Sequence, residues 1–132
     1  MATDFYSGKL SDNLYFAASK ILTGKSDGTY NLIRIPKYAF VTNVWLKVTT
    51  VFAGGIPTMT VGHIGNGEAA AAAAFMTDTE AAPTVAGVKA ATSLATFFGK
   101  YFSGGVGAIT CTIGGTPTSG ICQFFVHYGI IL

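Results

Sequence analysis

Apolar and polar residues alternate most cleanly over Phe40–Phe52. Val44, Leu46, Val48, Thr50 and Phe52 fall on one side of an extended chain. Asn43, Trp45, Lys47, Thr49 and Val51 fall on the other. A period of two in a run rich in valine and threonine predicts a β-strand, with the first set in the core. The second set is half-exposed or covered by a neighbour. Gly54-Gly55 supplies a turn, and Pro57 stands where a strand tolerates proline, at its start. On that second strand Met59, Val61 and His63 share one face and Thr58 and Thr60 the other.

Glycines at 62, 65 and 67 then interrupt the alternation, and Ala69–Ala74 follow. Alanine is the best helix former, and Glu68 in a first turn suits the helix dipole. A short helix over Glu68–Met76 is expected. Two turns are marginal alone, so it must be packed.

Elsewhere the pattern is strand-like. Leu14–Ala18 alternates after the turn-like Ser11-Asp12-Asn13. Tyr30–Ile35 is β-branched and aromatic, follows a Gly24–Gly28 turn, and stops at Pro36. Thr77–Ala91 reads as a surface loop and Thr92–Phe102 as a further strand. Ala108–Ile113 and Ile121–Leu132 flank Gly114–Gly120 as a C-terminal hairpin. If it is symmetric about Thr116 and Pro117, Cys111 stands opposite Cys122 and Ile109 opposite Phe124. Together these elements predict an all-β fold: one antiparallel β-sandwich domain over residues 1–132, with one short helix.

Composition sharpens this picture. Charged residues are 11% of the chain and apolar ones 50%, with a mean hydropathy of +0.49. A dispersed monomer carries about a quarter charged residues, so much of this surface is expected to lie against other protein. No basic cluster accompanies the net charge of +2, which argues against a nucleic-acid partner. The uncharged C-terminal stretch is broken by glycines and Pro117, so no spanning helix is expected and no membrane partner. The N-terminus lacks a basic start followed by an apolar run, so a signal peptide is not expected.

Candidate chemistry is sparse. Cys111 and Cys122 could be bridged if directly opposed, but the favoured reading is a pair of reduced, buried thiols. His63 could serve as a general base only with an acid or nucleophile beside it. Glu68 alone is near in sequence, and a strand-end polar role is favoured. Gly62–Gly67 lacks the lysine and hydroxyl of a phosphate loop, so its glycines read as a conformational corner between strand and helix. The six carboxylates are scattered singly. Neither a catalytic centre nor a cofactor or metal site is expected, and the protein is not expected to be an enzyme.

The stretch V-T-N-V-W-L-K-V-T-T-V-F-A-G-G-I-P-T-M-T-V-G-H-I-G-N-G-E-A-A-A-A resembles the head decoration, or cement, proteins of tailed bacteriophages. The likeness covers Ile35–Met76: a strand of the form V-T-T-x-F, a glycine turn, then T-x-T-V-G ahead of an alanine-rich segment. The ending S-G-I-C-Q-F-F-V-H-Y is similar in style, through Tyr128. This resemblance implies a jelly-roll-like virion protein that binds the outside of an assembled head, commonly as a trimer. It would strengthen a shell built of major capsid protein after assembly in the host cytoplasm. Trp45, Phe125 and His127, on the less core-like faces, are the candidate interface residues. Phe5 and Tyr6 join them, in a possible N-terminal arm, Met1–Leu10, that pairs with a neighbour's strand edge. A tail or head-fibre component shares the same compositional logic. A carbohydrate-binding module would instead need exposed coplanar aromatics.

Overall fold

The computed structural model describes residues 14–24, 26–91 and 99–131. Its strands are β1 (Leu14–Ala18), β2 (Leu22–Thr23), β3 (Gly28–Ile35), β4 (Ala39–Ala53) and β5 (Thr58–Gly65). After these come β6 (Glu68–Met76), the helix α1 (Asp78–Ala81), β7 (Gly87–Ala90), β8 (Lys100–Tyr101), β9 (Gly107–Gly114) and β10 (Ser119–Ile130). Sheet A has the order β1-β10-β4-β7, with β2 on β10 and β8 on β4. Sheet B has the order β3-β9-β5-β6. All pairings are antiparallel.

The eight longer strands pair as nested partners: β1 with β10, β3 with β9, β4 with β7 and β5 with β6. This is one long hairpin with its tip at Asn66-Gly67. Wrapping it brings β10 against β4 and β9 against β5, which makes the two-sheet jelly roll. The all-β sandwich expected from the pattern is therefore what the chain forms.

The core lies between the sheets. Val44, Leu46, Val48, Phe124 and Val126 of sheet A are buried with Ile33, Ile35, Met59, Val61, Ile109 and Ile113 of sheet B. Phe75 and Phe102 are buried in the same cluster. Burying each large apolar side chain contributes about 1.5–3 kcal/mol. Thr50, expected in the core, is exposed. The β4–β10 register slips between Val48 and Thr50, so strict alternation fails there. Met59, Val61 and His63 do face inward together, as their alternation predicts.

Four local expectations are corrected. Glu68–Met76 is a strand, not a helix. Asn66 and Gly67 both have positive φ, 61° and 67°, and Gly65 pairs with Glu68. That is a two-residue hairpin turn of the Asn-Gly kind, and it sends the alanines back along β5. Pairing with β5 then outweighs a helix propensity that was marginal at this length.

The single helix lies instead in the stretch read as a surface loop. Thr77 is its N-cap, and the Thr77 and Glu80 side chains form a capping box. The same stretch also supplies β7. From 92 to 98 the expected strand falls outside the described residues, but Lys100–Tyr101 pair with β4.

Neither Ala53–Thr58 nor Gly114–Ser119 closes a hairpin. Each carries the chain from one sheet to the other. The two crossings brace each other, with Ile56 N–H donating to Gly115 O at 2.9 Å and Thr118 N–H to Ala53 O at 2.8 Å. Cys111 consequently pairs with Tyr30 and Val61, and Cys122 with Leu22 and Val48. Both thiols are free and buried, as the favoured reading held.

Candidate functional site

Trp45 on β4 stands directly opposite Phe125 on β10. Both project from the outer face of sheet A, because Val44, Leu46, Phe124 and Val126 on either side of them turn inward. Phe16 on β1 reaches over both, with ring centroids 6.0 Å from Trp45 and 5.9 Å from Phe125. Val88 on β7 pairs with Lys47 and borders the same hollow. That hollow is about 360 Å³, lined by Phe16, Trp45, Lys47, Val88 and Phe125. Phe16 is 60% exposed and Val88 69%. Outward positions on four neighbouring strands have built an apolar surface that the other described residues leave uncovered.

His127 continues this face along β10, opposite Phe16 on one side and Asn43 on the other. The Thr42 hydroxyl lies 2.8 Å from His127 Nδ1 and donates to His127 O at 3.0 Å. Thr42 is the extra residue of a β4 bulge, since Asn43 pairs with His127 and Val41 with Tyr128. His127 Nε2 is buried without a hydrogen bond among the described residues. Three of the candidate interface residues, Trp45, Phe125 and His127, thus lie on one face. Phe5 and Tyr6 lie outside the described residues. Phe16 and Val88 were missed. The Leu14–Ala18 alternation could have indicated Phe16, whereas Val88 sat in a stretch read as loop.

The outer face of sheet B is different in kind. Thr112 on β9 pairs with Thr29 on β3 and with Thr60 on β5. The hydroxyls of Thr29 and Thr112 lie 3.0 Å apart, and Asn31, Arg34 and Thr58 are exposed on the same strands. One face of the sandwich is thus aromatic and the other hydroxylic.

His63 is 3% exposed and packs edge-on against Phe75 and Phe102. Its Nε2 lies 3.8 Å from Glu68 Oε1, which also pairs with Lys100. Asn66 Nδ2 donates to Glu68 Oε2 at 2.9 Å and to Tyr101 O at 3.1 Å, and Asn66 Oδ1 accepts from Gly104 N–H at 2.7 Å. Burial lowers the His63 pKa, and Lys100 adds to this against the opposing pull of Glu68. Near the end of β5, His63 is thus buried beside a carboxylate, and its Nδ1 has no hydrogen bond among the described residues. These groups tie the hairpin tip to β8 and to the loop after it, with no nucleophile among the partners named. No group of His, Cys, Asp and Glu suited to a metal occurs among the described residues. Among them, too, no helix is long and apolar enough to cross a membrane.

No family model matches the chain, and no curated protein matches it in sequence. Solved structures do match in fold. A chain of the cyanophage Pam1 capsid asymmetric unit has a TM-score of 0.68 at 17% identity, covering 90% of this chain and 86% of that one. A chain of the acidic stable capsid of Helicobacter pylori bacteriophage KHP30 scores 0.66 at 16% identity, covering 90% and 89%. A chain of the capsid of Ralstonia phage GP4 scores 0.66 at 16% identity, covering 92% and 86%. At these identities the likeness is one of fold, and it runs over nearly the full length of each chain.

Proposed function

We propose that this protein is a structural component of a bacteriophage virion. More specifically, we propose a decoration protein that binds the outside of the assembled head. It acts as a homotrimer on a shell of major capsid protein, without a cofactor and without catalysis. It stabilises the shell by burying apolar and backbone surface between neighbouring subunits. The observation that carries this reading is the full-length fold likeness to chains from three phage capsid structures.

Two features of the chain support it. Its low charge suits a surface covered by protein, and sheet A presents an aromatic face that the other described residues leave uncovered. Phe16 tilts by 36° to Trp45 and by 30° to Phe125, so the three rings do not lie in the one plane a sugar-binding module needs.

The test uses heads of the parent phage prepared without this protein. Purified protein should have the mass of a trimer, sediment with the heads to a saturating ratio, and raise their melting temperature. Protein that stays in the supernatant and leaves head melting unchanged would overturn the proposal.

A further inference from the structure

The hollow on sheet A has a defined chemistry. Four of its lining residues are apolar, and the fifth, Lys47, is exposed with no ion pair among the described residues. An occupant that fits it carries a large apolar side chain beside a carboxylate.

The described part of the chain has no carboxylate to spare. Asp27 accepts from Thr116 N–H, and Asp78 from Met59 N–H. Glu68 holds Lys100 and Asn66, and Glu80 holds the Thr77 N–H. The two remaining acids of the sequence are Asp4 and Asp12. Asp12 is flanked by Ser11 and Asn13, whereas Asp4 is followed directly by Phe5 and Tyr6. Asp4-Phe5-Tyr6 is therefore the segment of this chain with the required pairing of acid and aromatic.

Direction decides which copy it serves. Leu14 pairs with Gly129 and Ala18 with Phe125, so β1 runs toward the hollow. Leu14, where β1 begins, is therefore at the end of the strand farther from that hollow. Tyr6 stands eight positions before Leu14, a reach of about 26 Å when extended. An arm of that length can reach a copy that lies in contact with this one.

We propose that Asp4-Phe5-Tyr6 of one copy docks in the sheet A hollow of a neighbouring copy. An aromatic ring seats against Phe16, Trp45, Val88 and Phe125, and Asp4 pairs with Lys47. The exchange of arms links the copies of the oligomer. It leaves the shell to be contacted by other surfaces.

The full chain provides its own probe, because Trp45 is its one tryptophan. Oligomer mass is measured by sedimentation over a range of concentrations, with Trp45 emission read in parallel. Deleting residues 1–10 should yield monomers and shift Trp45 emission to longer wavelength. Phe5→Ala should weaken association by about thirtyfold, as for an anchor residue at an interface centre. Asp4→Lys and Lys47→Glu should each weaken it by about tenfold. The double variant Asp4→Lys/Lys47→Glu should recover most of that loss. Three results would overturn the proposal: a double variant no better than either single one, Trp45 emission unchanged by the deletion, or a wild-type chain that is monomeric at every concentration. An oligomer that behaves as expected yet ignores heads would defeat the decoration reading and leave this one standing.

Discussion

Gly62 lies directly against the backbone of Ala71: a Cβ built on Gly62 would stand 1.8 Å from Ala71 O and 2.5 Å from the carbonyl carbon of Ala72. The contact arises from register. Val61 pairs with Met76 and His63 with Ala71, so Gly62 alone faces Ala72–Phe75 across the ladder. The surplus chain bulges across the outer face of β5 and occupies the space a side chain would need. Gly62→Ala should therefore destabilise the fold by about 3 kcal/mol, at the upper end for overpacking, and lower Tm by roughly 10 °C. Gly114→Ala is the control, because its nearest contact is the movable hydroxyl of exposed Thr58. Thermal unfolding should show a loss several times smaller there.

Asp78 joins α1 to sheet B through Met59 N–H at 2.7 Å. This bond satisfies a backbone donor at the start of β5. Asp78→Ala leaves that donor without its partner and should cost about 1–3 kcal/mol. Thr77→Ala removes only the cap and should cost about 1 kcal/mol. Urea unfolding of both variants should rank them in that order.

The strands and the core were legible because alternation survives wherever one face of a sheet is buried. Val44, Leu46 and Val48 show this. What alternation cannot show is which sheet a strand joins. The segments around Gly54-Gly55 and Thr116-Pro117 look like hairpin turns, yet both are crossings held together by long-range backbone bonds. Two local signals were present and outweighed. Asn66-Gly67 marks a hairpin, but six alanines argued for a helix. Thr77 followed by Glu80 marks a helix start, but the polar run around it looked like loop. The aromatic face was half-legible: Trp45 and Phe125 follow from strand parity, while Val88 joins them only through the β4–β7 pairing.

The cysteines should be inert in the native protein. Burial pushes the Cys122 thiol up to about 12 and the Cys111 thiol higher still. Thiolate is the reactive form, so neither should react with a disulfide reagent at pH 8. Both should react once guanidinium unfolds the chain. A native-state reaction at either thiol within minutes would contradict the burial described for the inter-sheet core.

Acid should weaken this fold through His63. Burial, with Lys100 beside it, holds its pKa below the ordinary value of 6.5, so the folded state takes up its proton less readily than the unfolded state. Stability therefore rises with pH wherever the unfolded chain binds the extra proton. The contribution of neutral His63 is complete above pH 6.5 and is lost as pH falls below it toward the depressed folded value. Glu68 acts in the same sense at lower pH. Its bond to Lys100 lowers its pKa below 4.5, so its contribution fades as pH falls through that range. Melting temperatures measured between pH 8 and pH 5 should fall for the wild type and change less for His63→Leu, whose side chain cannot titrate. Lys100→Gln should bring the wild-type decline closer to that of His63→Leu, since it removes one cause of the depressed His63 pKa. Parallel wild-type and His63→Leu curves would show that the acid sensitivity originates elsewhere.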